Sequence, residues 1–431
     1  MEILAVGTIF DGLGGGANVS FEVLKVLPAL GIKVTLQVPV FYLHRSVLAY
    51  LSSKSKGVQN PMERINAIRD SGVDVPDFIE KRINELIATY SEDPSDYRAI
   101  TSPYFLYRAL KEDRKVSRKL RSLKNYDFVF CLNETYPIFR IAMEASSMFR
   151  KIKCLVMAHT EPYKDKSFRK RRQIKENYSV KVRNYIIRRS WEKALKKNVI
   201  MGLAAPSMAP LEMSGLTQEI KDRDISLYVP GPPWCLSSLF YEARNSADKN
   251  GALFLSRLVT DKGIFEIPKI VSQLREKRIT LVGSFTRDED RVKFTELSES
   301  AGISVDYMGY IDDKDVPSVL ARHKVLLYPT HADAFPFTVA QALTVGTSVV
   351  AYDIPAIAMN YGGLDTVSVV KEWDTVSMSS EANRILEMPG DEYAGLHESE
   401  VELAFVQKFR DCSKIWKGYG DWVLRVLISA S

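Results

Sequence analysis

Short apolar runs alternate with amphipathic segments along the first part of the chain. The opening EILAVGTIF is apolar, a glycine turn follows, FEVLKVLPALG has helical apolar spacing, and IKVTLQVPV is rich in β-branched residues. This order of strand, loop, helix and strand is the unit of a parallel sheet wrapped by helices. The pattern recurs at residues 126–133, 151–160 and 198–207. We therefore predict an α/β fold for the first half of the chain.

Two further regions have their own patterns. Residues 41–123 are polar, charged and mostly helical in spacing, which predicts a helical insertion near residues 42–123. After a proline and glycine cluster, five apolar, β-rich runs follow one another with helical patterns between them: residues 251–258, 278–285, 303–310, 323–330 and 346–353. They predict a second Rossmann-like domain, whose parallel sheet faces the first across a cleft.

The predicted domain boundaries follow from these patterns. The N-terminal Rossmann-like domain spans residues 1–228 with its helical insertion, and the C-terminal Rossmann-like domain spans residues 229–405. Residues 406–431 form a C-terminal helix with aromatic side chains at helical spacing, and we expect it to pack back on the N-terminal domain.

Length and composition exclude several classes of protein. The chain has 431 residues, of which 46% are hydrophobic and 26% charged, so it is neither a small module nor mainly disordered or collagenous. No apolar run approaches the roughly 18 residues of a membrane span, and an acidic residue follows the first methionine, which together predict a cytoplasmic protein. The cysteines at positions 131, 154, 235 and 412 form no CxxC pair, so we expect reduced, buried thiols.

The net charge of +6 comes from one segment, because residues 164–198 contain 14 Lys and Arg against 3 acidic residues. The basic 164–197 segment predicts contact with an anionic membrane surface, whereas a helix with a solvated basic face is the alternative. Nucleic acid is not an expected partner, because the segment lacks a recognised reading motif.

The glycines after the first strand formally match a dinucleotide fingerprint, G-x-G-x-x-A, from Gly12 to Ala17. That fingerprint requires an acidic residue at the end of the second strand, where this chain has none, so NAD is not expected. Backbone amides at the start of a helix still attract a phosphate. Gly14, Gly15 and Gly16 are therefore candidate donor-binding residues, and a tight turn without a ligand is the alternative.

Two basic residues follow the first strand of the second domain. Arg257 and Lys262 lie near the carboxyl edge of the predicted sheet, where open α/β sheets bind their ligands. Arg supplies a planar fork and Lys a point charge, so the pair could neutralise a diphosphate. Two solvated residues on a loop are the alternative.

The segment from Asp333 to Val350 resembles glycosyltransferase family 4, whose members have the GT-B fold. The family carries two Glu residues eight positions apart in the pattern E-x-F-G-x-x-x-x-E, and here Asp333 and Gln341 occupy these positions. The glycine loop near the start, the R-x-x-x-x-K-G of residues 257–263, Val282-Gly283, Gly309-Tyr310 and the YPT of residues 328–330 follow the family's order along nearly the whole chain.

The resemblance implies a glycosyltransferase of the hexosyltransferase type that uses a nucleotide-diphosphate sugar, a UDP- or GDP-sugar, as substrate. It implies retention at the anomeric carbon, no cofactor and no obligatory metal. Arg257 and Lys262 would hold the diphosphate, Asp333 the donor sugar and Gln341 the ribose. The remaining implied donor-binding residues are Gly283, Phe335, Pro336, Phe337 and Thr338.

Three departures from the family pattern leave an alternative open. Gln341 offers a neutral carbonyl where the family has a carboxylate, and Asp333 is one methylene shorter than Glu. Pro336 replaces a glycine and removes a backbone amide. The alternative is a non-catalytic, GT-B-like binding or scaffolding subunit with a degenerate donor site.

Three residues of the first domain follow predicted strands and complete the candidate site. His159 ends one strand, and the resemblance implies that it contacts the donor sugar, whereas a structural histidine is the alternative. Asn133 and Glu134 follow the preceding strand and either meet the acceptor or cap the next helix. We expect an anionic or lipid-linked acceptor, with the enzyme at the inner membrane face.

Overall fold

The computed structural model describes residues 1–10, 15–52, 58–92, 102–148, 152–163, 178–244 and 249–430. The chain divides into two compact units, of which the first comprises Met1–Pro206, Pro210–Pro233 and Ser413–Ser431, and the second Ser207–Ala209 and Trp234–Cys412. No helix within the described ranges is long and apolar enough to cross a membrane.

The first unit is built on six parallel strands in the order β2-β1-β3-β4-β5-β6. The strands are β1 (Glu2–Val6), β2 (Lys33–Gln37), β3 (Phe128–Cys131), β4 (Cys154–Met157), β5 (Ile200–Ala204) and β6 (Ser226–Tyr228). The side chains of β3 and β4 are all buried, as a parallel sheet covered by helices requires. The predicted parallel sheet is confirmed, and β6 is a strand that the sequence analysis did not predict.

Helices cover this sheet and fill the region predicted as an insertion. They are α1 (Gly15–Val26), α2 (Val40–Ser52), α3 (Pro61–Asp70), α4 (Asp77–Glu92), α5 (Pro103–Leu123), α6 (Tyr136–Met148), α7 (Tyr178–Lys196), α8 (Ala209–Ser214) and α9 (Leu216–Asp222). The side chains of Asn60 and Ser102 accept backbone N–H groups in the first turns of α3 and α5. Each is followed by a proline at the first helical position, a combination that favours helix starts.

The second unit contains six parallel strands in the order β12-β11-β10-β7-β8-β9, the arrangement of a doubly wound nucleotide-binding sheet. The strands are β7 (Ala252–Leu255), β8 (Arg278–Val282), β9 (Ser304–Gly309), β10 (Val325–Tyr328), β11 (Ser348–Tyr352) and β12 (Val367–Val370). From β7 the strand order runs outward in one direction through β8 and β9 and in the other through β10, β11 and β12. The carboxyl ends of β7 and β10 therefore define the crevice where such sheets bind ligands.

The helices of the second unit pack around this sheet. They are α10 (Ser238–Ala243), α11 (Ile267–Val271), α12 (Asp288–Ser300), α13 (Val316–Ala321), α14 (Phe337–Thr344), α15 (Pro355–Tyr361), α16 (Thr375–Glu387), α17 (Gly390–His397) and α18 (Glu400–Gln407). A short 3₁₀ turn, Thr260–Lys262, follows β7. It carries one of the two basic residues that the sequence analysis assigns to a diphosphate.

The terminal helix α19 (Cys412–Ala430) packs on the sheet of the first unit. The rings of Trp422 and Tyr228 are stacked with centroids 5.8 Å apart, and Tyr419 lies edge-on to Tyr228 at 5.2 Å. A Cβ atom placed at Gly202 in β5 would lie 3.1 Å from Trp422. The absence of a side chain at Gly202 therefore makes room for the helix.

The expectation of four reduced thiols is wrong for one pair. Cys235 and Cys412 form a disulfide, although 177 residues separate them in the chain. The tertiary fold brings the two Cα atoms to within 5.1 Å of each other, and the spacing of the cysteines in the sequence does not predict this pairing. Cys131 and Cys154 are buried free cysteines, and burial raises the pKa of both thiols.

Candidate active site

An ion pair lies at the crevice of the second unit. Lys262 Nζ is 2.5 Å from Asp333 Oδ2 and donates a further hydrogen bond of 3.2 Å to the carbonyl of Ala332. The two charged side chains are 12% and 22% exposed, so water screens their attraction only in part. The structure thus brings together two of the residues that the sequence analysis assigns to the donor site.

Asp333 is also held from the interior of the unit. The hydroxyl of Tyr328, the last residue of β10, donates to Asp333 Oδ2 at 2.6 Å, and the backbone amide of Ala334 donates to Oδ1 at 2.9 Å. Burial and the neighbouring Asp333 charge raise the pKa of Tyr328 well above its ordinary value, so this hydroxyl keeps its proton and remains a donor. The short side chain of Asp333 therefore has a fixed position.

The turn that carries Lys262 is docked tightly on the segment after β10. Gly263 has a φ of +78°, and a Cβ atom there would lie 2.1 Å from the carbonyl oxygen of Pro329. Only glycine combines this left-handed conformation with so close an approach. The glycine of the K-G pair thus fixes the distance between the Lys262 turn and the Asp333 loop.

A second ionic group lies beside this pair. The imidazole of His331 is fully buried, with Nε2 at 2.5 Å from Glu266 Oε1 and Nδ1 at 2.7 Å from Glu372 Oε1. The hydroxyl of Tyr352 donates to the other oxygen of Glu266. Burial on its own lowers the pKa of His331, but the hydrogen bonds and charges of the two carboxylates outweigh it and raise the pKa.

Arg257 and Gly283 follow β7 and β8. The side chain of Arg257 is exposed, whereas Lys262, five residues later, is mostly buried. Gly283 has a φ of +133°, and a Cβ atom there would lie 1.8 Å from the carbonyl oxygen of Ser256. Its observed role is to let the ends of the two strands approach each other.

The segment Phe335–Thr338 leads into α14. The ring of Phe335 packs near Tyr361 and Phe409, and the carbonyl of Pro336 accepts the hydroxyl of Tyr361 at 2.7 Å. Phe337 also approaches Phe409, so the two phenylalanines pack within the second unit. Thr338 is half-buried in the first turn of α14.

Gln341 lies in the same helix, and its side chain is half-buried. It makes no side-chain hydrogen bond with another residue in the described part of the chain, in contrast to Asp333 at the other end of the motif.

The carboxyl edge of the first unit has a different character. Gly15 and Gly16 begin α1, and Gly14 lies outside the described residues. A Cβ atom at Gly16 would lie 2.7 Å from Cγ of His159, so this glycine lets α1 approach the histidine ring. The structure brings Gly16 and His159 together, as expected from their positions after parallel strands.

The imidazole of His159 is held by neutral groups. Its Nε2 atom is 3.0 Å from the carbonyl of Leu132 and 3.3 Å from the hydroxyl of Ser20. Because the carbonyl can only accept, Nε2 carries a hydrogen and Nδ1 is left as an acceptor. Burial lowers the pKa of His159, against the opposing charge of Glu134, which keeps the ring neutral near pH 7.

The carboxylate of Glu134 binds the segment that carries this histidine. It accepts the backbone amides of His159 at 2.7 Å and Thr160 at 3.1 Å, as well as the Thr160 hydroxyl at 2.5 Å. Asn133 accepts the amide of Thr135 at 2.9 Å, immediately before α6. In this structure Asn133 therefore orders the start of the helix, and Glu134 holds the loop of His159.

The basic segment is described only from residue 178 onward. Residues 164–177 lie outside the described ranges, and α7 covers most of the remainder. Trp191, Ala194 and Leu195 are buried, and the ring of Trp191 is stacked on Phe139 with centroids 4.3 Å apart. The exposed residues of the helix and the turn after it include Lys181, Val182, Tyr185, Ile186, Arg189, Lys193, Lys196 and Lys197. Trp191, Ala194 and Leu195 thus pack in the core, whereas the basic face is exposed.

Within the residues that the structure describes, no cluster of three or more His, Cys, Asp or Glu side chains has an arrangement that could hold a metal ion.

Residues 240–392 match the model of a protein family described as "Glycosyl transferases group 1". The matched region contains both the Lys262–Asp333 pair and the His331 cluster. Residues 240–392 are accordingly a glycosyltransferase domain, of the hexosyltransferase type, and the chain has the GT-B fold. The resemblance inferred from the sequence is confirmed.

Solved structures with the same fold cover the whole chain. The sucrose-phosphate synthase of Thermosynechococcus elongatus matches 100% of both chains with a TM-score of 0.67 at 15% identity. A glycosyltransferase of Rickettsia africae matches 99% of this chain and 97% of its own with a TM-score of 0.62 at 14% identity. Anabaena HepE, in complex with UDP and glucose, matches 100% of both chains with a TM-score of 0.60 at 13% identity.

No curated protein matches the chain. The family match and the fold therefore give the class of enzyme, and the choice of donor and acceptor depends on this chain's own residues.

Sequence reasoning missed three residues that the structure places in or beside the pair. Tyr328 lies in the YPT segment but was used only to support the resemblance, and its hydrogen bond to Asp333 was not foreseen. Glu266 and Glu372 are 106 residues apart in the chain, and His331 joins them. The position of Glu266, four residues after Lys262, could have marked it as a neighbour of the site.

Proposed function

We propose that the protein is a retaining, metal-independent glycosyltransferase that moves a sugar from a UDP- or GDP-sugar to an anionic or lipid-linked acceptor. The observation that carries this proposal is the Lys262–Asp333 pair at the crevice of a doubly wound sheet. In a nucleotide sugar, the cation would bind the diphosphate and the carboxylate would accept hydrogen bonds from the hydroxyls of the sugar. The UDP and glucose bound by HepE support the choice of donor.

The leaving group determines what the site has to stabilise. When the bond between the anomeric carbon and the diphosphate breaks, negative charge develops on the oxygen that departs with the β-phosphate. A preorganised cation stabilises this charge most when it is partly removed from water. Lys262 is mostly buried and fixed by its turn, so it fits this role, and the exposed Arg257 can add a second charge from solvent.

Binding of the diphosphate would change the partner of Lys262. In the structure Asp333 Oδ2 accepts from both Lys262 Nζ and the hydroxyl of Tyr328. A diphosphate that takes over Lys262 leaves Asp333 with Tyr328 as its remaining side-chain donor, and the carboxylate can then accept from hydroxyls of the donor sugar. Gly283 and the Phe335–Thr338 segment shape this pocket, and Gln341 lies within the same helix as Thr338, where it offers an amide to the ribose.

In the first unit we assign the contact with the donor sugar to His159. Its neutral ring presents Nδ1 as an acceptor for a sugar hydroxyl, and Glu134 keeps the loop in place. Gly14, Gly15 and Gly16 are assigned to the diphosphate side of α1, where backbone amides attract an anion. We assign Asn133 to the acceptor side. Its side chain accepts the amide of Thr135 at the start of the next helix.

Isothermal titration without added metal tests the donor assignment. We expect selective micromolar binding of UDP or GDP, weakened at least tenfold by Arg257→Ala and more strongly by Lys262→Ala. Transfer from the matching sugar nucleotide is then measured with EDTA, and the anomeric configuration of the product is read by proton NMR. Absence of binding for both nucleotides would contradict the proposal and favour a non-catalytic binding or scaffolding subunit.

The exposed basic face supports the second part of the proposal, that the enzyme works at the cytoplasmic face of a membrane. Lys181, Arg189 and Lys193 are exposed on α7, and Tyr185 and Ile186 add apolar surface beside them. Basic residues with aromatic neighbours favour anionic lipid surfaces. We expect sedimentation with vesicles containing phosphatidylglycerol and not with pure phosphatidylcholine, and binding to both or to neither would contradict this assignment.

A further inference from the structure

His331 is a buried titratable residue to which the proposed reaction assigns no task. Its side chain is fully buried, and both ring nitrogens lie within hydrogen-bond distance of carboxylate oxygens. A carboxylate can only accept hydrogen bonds, so both nitrogens must carry hydrogens and the ring is an imidazolium. The raised pKa of His331 agrees with this charge.

The imidazolium joins segments that are distant in the chain. His331 follows β10, Glu266 lies between the Lys262 turn and α11, and Glu372 follows β12. Tyr352, the last residue of β11, donates to Glu266 from the strand between them. Together the His331, Glu266, Glu372 and Tyr352 side chains therefore connect the carboxyl ends of three neighbouring strands to the turn after β7.

The indole of Trp373 covers the imidazolium. The two rings are stacked with centroids 3.8 Å apart. Trp373 has a φ of +72°, a left-handed conformation that a bulky residue rarely adopts. A strained backbone persists where surrounding contacts overdetermine it, and stacking of an aromatic face on a cation is such a contact. The indole thus covers one face of the imidazolium, while the carboxylates bond to the nitrogens at its edge.

The cluster acts on the same turn that presents Lys262. The backbone amide of His331 donates to the carbonyl of Asp261 at 3.0 Å, and Gly263 lies directly against Pro329. Asp333 is two residues after His331, and Glu266 is four residues after Lys262. The bond between His331 and Glu266 is therefore a side-chain tie between the two loops that hold the Lys262–Asp333 pair.

We propose that His331 is a positioning residue of the donor site, which fixes Lys262 for the β-phosphate of the nucleotide through its tie to Glu266. This inference rests on the proposed function, in which Lys262 binds the diphosphate. Without the imidazolium, Glu266 and Glu372 would face each other as uncompensated carboxylates, and the turn that carries Lys262 would shift. His331 itself contacts neither the nucleotide nor the sugar.

The test compares two ligands that differ by one phosphate. Binding of UDP and UMP, or of GDP and GMP if guanine is preferred, is measured by titration for the wild type and for His331→Gln. We expect His331→Gln to weaken diphosphate binding about tenfold, the equivalent of one charge-assisted hydrogen bond, and to leave monophosphate binding within twofold. General loosening of the unit would weaken both ligands by the same factor and would overturn the inference.

Two further variants make the result independent of one substitution. Glu266→Ala breaks the same tie from its other end, and we expect the same selective loss of diphosphate binding. His323→Gln is the matched control, because His323 is a half-buried histidine of the same unit that bonds to Val319 and Thr280 at the amino end of β10. We expect it to leave both affinities unchanged.

The outcomes separate this inference from the proposed function. If the wild type binds neither diphosphate, both are overturned. If the wild type binds a diphosphate and both His331→Gln and Glu266→Ala bind it equally well, the inference alone is overturned. If circular dichroism shows that His331→Gln or Glu266→Ala does not fold, the comparison uses the remaining one of these two variants.

Discussion

The two units present opposite electrostatic surroundings at equivalent edges of similar sheets. At the edge of the first unit, which we call the neutral edge, the ring of His159 is neutral and contacts a carbonyl and a hydroxyl. At the edge of the second unit, which we call the ionic edge, Lys262 and His331 are cations with carboxylate partners. Under the proposed function this difference is a division of tasks, in which the second unit would stabilise the charge of the leaving group and the first would orient uncharged hydroxyls.

The two histidines show how the surroundings produce this difference. Burial lowers the pKa in both cases. For His159, the charge of Glu134 opposes burial without overcoming it, because that carboxylate is bound to backbone amides. For His331, two carboxylates bond directly to the ring and raise the pKa. Direct contact with the ring, more than depth of burial, separates a neutral histidine from a charged one.

The largest expected effect is at the ionic edge. Lys262→Ala should lower the rate of sugar transfer by about a hundredfold to a thousandfold, as expected for a missing donor to a developing anion. Lys269→Ala is the matched control, because Lys269 is exposed on the adjacent helix α11. The rates come from initial-velocity measurements at saturating donor. Full activity of Lys262→Ala, with an unchanged melting temperature, would remove the ionic edge from the mechanism.

A smaller effect is expected from crowding the neutral edge. Gly16→Ala places a Cβ atom against the ring of His159 and should destabilise the protein by about 1–3 kcal/mol, with a rise in KM for the donor. Gly395→Ala is the control, because no atom lies within 4 Å of the corresponding Cβ position. Urea unfolding and donor titration measure the two effects. If the free energy of unfolding and the KM for the donor are unchanged in Gly16→Ala, neither stability nor donor binding depends on the observed position of the His159 ring.

Removal of the carboxylate at the neutral edge should cost less. Glu134→Gln loses one of the acceptors for the amides of His159 and Thr160, and we expect a loss of about 1 kcal/mol in the free energy of unfolding. Glu219→Gln serves as control, since the Glu219 side chain is 44% exposed and pairs with Arg223 only four residues away. If both variants unfold at the same urea concentration as the wild type, Glu134 does not hold this loop.

The smallest effect, a dependence on pH of opposite sign at the two edges, sharpens the comparison most. The raised pKa of His331 contributes stability that is fully present below about pH 6.5, its unfolded value, and is lost as pH rises through the folded pKa. The lowered pKa of His159 means the reverse: stability is lost as pH falls below about 6.5 toward the folded pKa.

Urea titrations of His331→Gln and His159→Gln measure these two contributions. We expect His331→Gln to be more destabilising at pH 6 than at pH 9, and His159→Gln to be more destabilising at pH 8 than at pH 5. Equal pH dependence in both variants would contradict the assignment of a charged and a neutral ring.

Much of the fold follows from local patterns, and the exceptions have a physical cause. Apolar runs predicted ten strands, because a strand buried on both faces must be apolar along its length. The strands β6 and β12 were missed because exposed side chains interrupt them, which leaves no continuous run. Their position at the sheet edges explains that exposure.

The candidate site was predictable where its geometry is local. The K-G pair indicates a cation beside a close backbone approach, and Gly263 has the conformation that this requires. The roles of Tyr328 and His331 depend on partners elsewhere in the chain, and residue order alone does not reveal which side chains meet. The same holds for the disulfide between Cys235 and Cys412.

This disulfide lies where the chain enters and leaves the second unit. The Cα atoms of Cys235 and Cys412 are 5.1 Å apart, and apart from Ser207–Ala209 the whole unit lies between Trp234 and Cys412. The unit is thus a continuous insertion with adjoining ends, a topology that tolerates genetic exchange. Recombination at these two points could replace this unit with another while leaving the host sheet intact, and under the proposed function such an exchange would supply a new donor site.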